Sequence, residues 1–313
     1  MATTTSITST YSGQFAGKYI AAALLSSPTL DKELITIKPN IKYKEVIKKY
    51  SNTNAIFDAS CDFTATSTVT LTESIIQPEE FQVNLQLCKK DFRSDWEAIE
   101  MGISVFDNLP PTFTEFMIGQ VAAQVAAQIE SNIWTGSGAS TGTFPSFDYL
   151  FTQAGSGVIS GSNGVTGYGA NSITGSSTVI AGLQAVVNAI PTTVYGKEDL
   201  GIYVSTATMK AFQTAVGGGT AYANGYNNQT VIGLKPMDFQ GIPLLHCPGL
   251  PANAVVAAQK SNLFFGTALL DDRNEVKVLD MADLDGSQNV RIIMRYTAGV
   301  QYGFGSDIVY NYA

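Results

Sequence analysis

The sequence predicts an α+β fold, on three observations. Two stretches, Thr64–Leu71 and Val290–Tyr312, alternate with period two, the signature of half-buried strands. From Phe113 to Ile133 apolar residues recur every fourth position, which reads as one helix of about 22 residues, roughly 33 Å long. Between 178 and 285 helical and strand patterns alternate, which adds a compact mixed lobe. A chain of 313 residues, 45% of them hydrophobic, can bury such a core and suggests about two domains.

The elements follow in chain order. Residues 1–33 read as an N-terminal arm: Thr and Ser fill its start, and Gly13–Leu25 is a short amphipathic stretch that needs a surface to lie on. Residues 34–77 read as extended structure. Ile41, Tyr43, Val46 and Ile47 interleave with Lys42, Lys44, Lys48 and Lys49, and Ser51–Asn54 is rich in turn formers. This is a long hairpin with little core of its own, and a two-stranded ribbon is barely stable alone. Residues 78–134 read as mostly helical, with Trp96, Ile99 and Ile103 on one turn pattern. A second helix starts at Asn108–Thr112, where Thr112 and Glu115 stand at capping-box spacing. Its stripe of Phe113, Met117, Val121, Val125, Ile129 and Ile133 is narrow and is paralleled by Gln120, Gln124 and Gln128. That suits a rod laid across a sheet.

Gly136–Ser177 reads as the loosest segment, with Asp148 as its one charged side chain, and its Gly136–Gly142 run reads as an uncharged surface loop. Its Gly136-Ser-Gly138-Ala-Ser-Thr-Gly142 run follows a helix, so the context of a dinucleotide site fails. Beyond it, Val179–Ile190 is helical, Gly201–Val204 is a buried strand, and Ser205-Thr206 offers an N-cap for Ala207–Val216. Gly217–Asn228 is a loop. Pro243 suggests an edge position for the strand at Ile242–Leu244. Ala254–Ala258 and Leu263–Gly266 are short strands. The C-terminal stretch is two strands across a Gly303-Phe304-Gly305 kink.

Charge and chemistry narrow the function. Only 14% of residues are charged, against roughly 25% in an average globular chain. The net charge, 18 − 26 = −8, argues against a general nucleic-acid binder and against a membrane-surface protein. Residues 1–50 carry 7 − 3 = +4, so a basic front part meets an acidic remainder, an arrangement that is self-complementary between copies. One histidine, His246, must serve alone, and it neighbours Cys247 on a strand, where adjacent side chains point apart. Cys61, Cys88 and Cys247 form no CxxC pair. Cys61 and Cys88 read as buried free thiols, with pairing in an oxidising setting as the alternative. Asp283-Leu284-Asp285-Gly286 lacks the downstream Glu of a calcium loop, and Asp271-Asp272 lacks a second acidic pair. Met1–Thr5 lacks the order of a signal peptide and Tyr19–Leu25 is too short to span a bilayer, so synthesis in a cytoplasm is expected. No catalytic, cofactor-binding or metal-binding residues are expected, and the protein is read as a structural or interaction protein rather than an enzyme. A secreted adhesin or surface-layer protein is the alternative that the Thr/Ser/Gly/Asn richness suggests.

The order of parts resembles the major capsid proteins of tailed bacteriophages, which share the HK97 capsid fold. The segment Tyr203-Val204-Ser205-Thr206-Ala207-Thr208-Met209-Lys210 is similar to a strand-into-helix segment of that family. Gly241–Leu244 followed by Leu250–Ala257 resembles the strand pair that follows it, and Asp95-Trp96 with Cys88–Asp91 resembles capsid proteins of phages infecting Bacteroidetes. The resemblance implies an N-terminal arm at 1–33, an extended loop at 34–77, and a peripheral domain at 78–177 with a spine helix at 112–134. It further implies an axial domain at 178–285 and C-terminal strands at 286–313 returning to the peripheral domain. It implies a virion capsid subunit, assembled in the host cytoplasm, that builds hexamers and pentamers of an icosahedral shell around double-stranded DNA. Implied partners are copies of itself, portal, scaffolding or auxiliary capsid proteins, and DNA by weak non-specific contact. Lys42, Lys44, Lys48 and Lys49 are the expected intersubunit contacts. An encapsulin-type compartment is a second reading of the same fold. Some members of that family carry a long scaffolding region before the arm; here the arm begins at once, so either a separate scaffold or prior removal of an internal one is expected.

Overall fold

A computed structural model describes residues 9–12, 27–53, 61, 68–88, 111–153, 155–160, 173, 175–217, 237–268 and 275–311. Two six-stranded sheets and a two-stranded ribbon organise them. The first sheet takes β1 (Ser9–Ser12), β2 (Thr36–Lys38), β5 (Glu79–Cys88), β11 (Leu263–Gly266), β12 (Glu275–Asp280) and β13 (Asn289–Tyr302). The 14-residue β13 is its axis: β12 and β5 pair with its first two thirds and β11 with its end, all antiparallel. The second sheet runs β6 (Ile159–Ser160), β14 (Val309–Asn311), β10 (Val255–Gln259), β7 (Leu200–Val204), β9 (Ile242–His246) and β8 (Asp238–Phe239). The ribbon is β3 (Glu45–Thr53) paired with β4 (Thr68–Ile76).

Among the described residues six α-helices accompany these strands: α1 (Pro28–Asp31), α2 (Pro111–Trp134), α3 (Phe147–Thr152), α4 (Val179–Ala189), α5 (Thr206–Gly217) and α6 (Ala282–Asp285). Helix α2 presses Val121, Val125, Ile129 and Ile133 into the core shared with β5 and β13, while Gln120, Gln124 and Gln128 stay exposed. Ser205 caps α5 through its hydroxyl, which accepts from the N–H of Thr208 at 3.2 Å. Strands β7 and β10 are buried along their whole length because each face meets a different core. Tyr203, Val256 and Ala258 face the core under α2, whereas Ile202, Val204, Val255 and Ala257 face α4 and α5.

Several expectations are corrected. Residues 79–88 form a strand, not a helix: half-buried Phe81, Val83, Leu85 and Leu87 alternate with exposed Gln82, Asn84 and Gln86, a period of two. The strand expected at Thr64–Leu71 is present from Thr68 and continues past Leu71 to Ile76, carried onward by the β-branched and apolar residues, while 64–67 lie outside the described residues. The segment after α2 is not wholly a surface loop. Phe144, Phe147 and Phe151 are buried there and α3 forms, with the Ser146 hydroxyl accepting from the N–H of Tyr149. Strand β9 is interior, between β7 and β8, and the two-residue β8 takes the edge; Pro243 is tolerated because the ladder with β7 begins one residue later, at Leu244. Cys61 is exposed and Cys88 half-buried, both as free thiols, so neither is a buried core thiol. The final strands separate: β13 joins the first sheet and β14 the second. Strands β11 and β12 lie in the first sheet although they precede residue 285. Gly13–Leu25, Phe92–Ile103 with Trp96, Asp271-Asp272 and most of Gly217–Asn228 lie outside the described residues, as do the side chains of Thr112 and Glu115.

Candidate functional site

The β3–β4 ribbon is firmly seated and then left uncovered. At its root, buried Ile41 and Ile76 close on Gly266 of β11, where a Cβ would come within 2.7–2.8 Å of their δ-methyls. The chain before the ribbon is stitched to the sheet: the N–H of Ile41 donates to the Thr267 carbonyl at 3.2 Å, and that of Thr267 to the Lys38 carbonyl at 3.1 Å. Lys38 pairs with Glu45, and the Gln301 amide donates to the Ile75 carbonyl at 3.0 Å.

Beyond the root, strand alternation sorts side chains onto two faces. Val46, Lys48 and Tyr50 share one face with their cross-strand partners Ile75, Glu73 and Leu71. That face is open: Val46 is 42% exposed, Ile75 43%, Tyr50 60% and Leu71 72%. Two apolar pairs therefore flank one Lys48–Glu73 pair. Large apolar side chains gathered on one exposed face mark an interaction surface.

The four expected lysines are not one face. Lys42 and Lys44 precede β3 and are exposed, with the Lys44 ammonium 5.2 Å from the centre of the Tyr43 ring. Lys48 belongs to the open face. Lys49 is placed opposite Thr72 on the other face, and its side chain lies outside the described residues. Sequence reasoning singled out the lysines and missed Val46, Tyr50, Leu71 and Ile75. The signal was the spacing of Val46 with Tyr50 and of Leu71 with Ile75; only the pairing register unites them.

The polar groups considered for chemistry are dispersed or tied up. The imidazole Nε2 of His246 sits 2.9 Å from the Thr206 hydroxyl, and burial, reinforced by Lys32, lowers its proton affinity. Burial first, and the Glu130 charge second, push the Cys247 thiol far up, so it stays protonated. Among the described residues no group of three His, Cys, Asp or Glu side chains gathers as a metal site. Asp285 is exposed beside Ser287 and Arg291.

Two further features surround this region. A groove of about 410 Å³ lies between α2 and the first sheet, with Phe81, Val83, Val125 and Tyr296 on its floor and Gln124 and Gln128 at its rim. Near the end of α2 the buried Glu130 carboxylate accepts from the N–H and the hydroxyl of Thr29, at 2.9 and 2.7 Å. The Trp134 indole donates to the same hydroxyl at 2.9 Å. This knot fixes α1 to the long helix.

No family model and no curated protein sequence matches the chain. Solved structures do. The capsid of an empty GTA particle superposes with a TM-score of 0.58 at 13% identity, covering 93% of this chain and 90% of that one. A Gordonia phage Cozz structure gives 0.58 at 13% identity, over 91% and 86%. The cyanophage A-1(L) capsid gives 0.54 at 14% identity, over 92% of each chain. The whole architecture, and not one lobe of it, is shared with these capsids, so the chain has the HK97-like capsid fold of tailed phages.

Proposed function

We propose that this chain is a major capsid protein, a virion shell subunit without catalytic function. The observation that carries the reading is the ribbon: a rigidly rooted hairpin whose outer face leaves Val46, Tyr50, Leu71 and Ile75 in water. Water-exposed apolar surface of that kind is relieved when a neighbouring copy covers it. The likeness to capsids over about nine tenths of the chain supports the same reading. Copies form hexamers and pentamers that close an icosahedral shell around double-stranded DNA, with assembly in the host cytoplasm. Many weak contacts, repeated over the shell, supply the cohesion. In this reading 34–77 is the extended loop, 112–134 the spine helix, 78–177 the peripheral domain and 178–285 the axial domain, except that β11, β12 and β13 share the first sheet with β5 while β14 joins the second. Lys42, Lys44, Lys48 and Lys49 steer the loop toward acidic surface on the next subunit. A portal and scaffolding or auxiliary capsid proteins complete the assembly. The net-negative chain holds DNA only weakly.

The test is expression of the full chain and negative-stain microscopy. Closed particles are expected, and reversal of Lys44, Lys48 and Lys49 to Glu abolishes them while circular dichroism stays native. A monodisperse monomer at all concentrations overturns the reading. Cargo separates the two uses of the fold: double-stranded DNA in particles from infected cells supports a virion, whereas an enclosed enzyme identifies a cellular compartment.

A further inference from the structure

We propose that the outer edge of β5, with the groove beside it, takes up an added strand: residues 1–8 of a second copy. The inference rests on the shell-subunit reading for the presence of that copy, and it assigns the contact to one sheet edge.

The sheet stops one strand early. Strand β13 lies between β12 and β5, and among the described residues β5 pairs with β13 alone, in unbroken register from Glu79 to Cys88. The backbone groups on its far side therefore have no strand to bond. Burial breaks at the same place. Val290, Ile292 and Met294 of β13 are 1% exposed, yet their partners Leu87, Leu85 and Val83, on the same face one strand over, are only half-buried. Helix α2 closes over β13 and leaves the groove open along β5, between Phe81, Val83 and Leu85 on the strand and Val121 and Val125 on the helix. The usual defences of an edge strand are missing: β5 holds no Lys and no Pro, and past Glu80 its solvent face carries Gln82, Asn84 and Gln86. An open edge beside an apolar groove is the geometry that takes an extended peptide, with main-chain hydrogen bonds on the edge and alternate side chains in the groove.

Charge and reach select the occupant. Every residue lining the groove is uncharged, so a charged segment placed there loses hydration without gaining a partner. Residues 1–8, Met-Ala-Thr-Thr-Thr-Ser-Ile-Thr, carry no charged side chain and are mostly β-branched, which suits a strand. They lead into β1, where Ser9 pairs with Val278, so β12 has only Leu279 and Asp280 left to pair with residues before Ser9. The β5 edge of their own copy is out of reach. It lies past β12, β13 and β5, four strand spacings or about 19 Å from β1, and a crossing at about 3.3 Å per residue uses about six of these residues. The edge of a second copy carries no such limit. With Thr3, Thr5 and Ile7 turned into the groove, Thr4 and Ser6 face water. The contact then runs from the β1 edge of one copy to the β5 edge of the next, a head-to-tail arrangement that repeats around a ring.

A synthetic peptide of residues 1–8, labelled at its C-terminus, tests the edge directly. It is titrated into the full chain carrying Ile7→Asp, whose own arm no longer competes, and followed by fluorescence anisotropy. Saturable binding is expected. Ile7→Asp in the peptide is expected to weaken binding by about 10-fold or more, since a carboxylate then enters an uncharged groove. Ser6→Asp, on the water side, binds as the parent peptide does. N-methylation of every second residue abolishes binding in one of its two phases only, because alternate N–H groups point to the edge. In the protein, Gln124→Trp fills the mouth of the groove from an exposed helix position and is expected to lower peptide affinity by about 10-fold. An unchanged melting temperature verifies that this variant is folded.

Two full-length variants place the contact between copies. In sedimentation velocity below the onset of particle formation, Ile7→Asp and Gln124→Trp are each expected to associate more weakly than wild type. Their equimolar mixture is expected to form dimers that grow no further, since one copy supplies the strand and the other the edge. Absence of saturable peptide binding, equal loss from Ser6→Asp and Ile7→Asp, N-methylation without phase, or a mixture that associates no better than its components overturns the proposal. Electron microscopy keeps this outcome distinct from the fate of the shell reading. Closed particles from a chain whose edge binds no peptide remove the added strand and leave the shell. Peptide binding without particles keeps the contact and removes the shell.

Discussion

Thr29 shows how a single hydroxyl ties distant segments. It donates to Glu130 and accepts from Trp134, both about a hundred positions away in the chain. Thr29→Val keeps the shape but leaves a buried carboxylate and an indole N–H each short of a partner. It is expected to cost about 1–3 kcal/mol in urea denaturation, with Thr29→Ser close to wild type. A result within error of wild type for the valine variant refutes the role given to this knot. The thiols are also ordered by their surroundings. Exposed Cys61 is expected to react with an alkylating reagent first and half-buried Cys88 more slowly. Buried Cys247 reacts only once the chain unfolds, because its thiolate is strongly disfavoured. Mass spectrometry of the labelled peptides checks the order. At this scale the sequence was a partial guide. It read His246 and Cys247 as neighbours on one strand, whereas the strand ends at His246, and it counted Cys61 among buried thiols. Exposure depends on which neighbours arrive from elsewhere in the chain.

Among the elements, the ribbon depends on its root. Ile76 is fully buried there while Ile75, its neighbour, faces water on the open side. Ile76→Ala is expected to cost about 2–5 kcal/mol. It should also accelerate proteolytic cleavage between 45 and 76 before the sheets are attacked. Cleavage at wild-type rate argues that the root does not set the ribbon's position. Helix α2 was legible because its period of four persists from Phe113 to Ile133, and Val121, Val125, Ile129 and Ile133 do turn inward. Strand β5 was not, although its alternation is just as regular. Phe81, Val83, Leu85 and Leu87 lie beside a longer helical pattern, and a ten-residue window cannot say which period its partners enforce. The lysines of the hairpin were legible as a group. Their division between two faces was not, since a strand register one residue different exchanges every side chain between faces.

For the whole molecule, one sheet joins the two cores. Val256 on β10 faces the core under α2 and Val255, the next residue along, faces α4 and α5. A strand with a core on each side couples the two lobes mechanically. Val255→Ala and Val256→Ala are each expected to cost about 2 kcal/mol and to lower the same calorimetric transition. Two separated transitions, each sensitive to only one of the substitutions, refute that coupling.

By itself the sequence determined the inventory: an α+β chain with one long amphipathic helix, a basic hairpin with no core of its own, and titratable groups too scattered to gather by local spacing. These are local properties, written in period, composition and turn chemistry, and they need no knowledge of the partner strand. The tertiary structure alone decided which strands meet, that β13 and β14 part into different sheets, and that Val46, Tyr50, Leu71 and Ile75 form one open face around Lys48 and Glu73. Those outcomes are set by long-range pairing register and by what remains uncovered after the cores have closed, which no local window of residues contains.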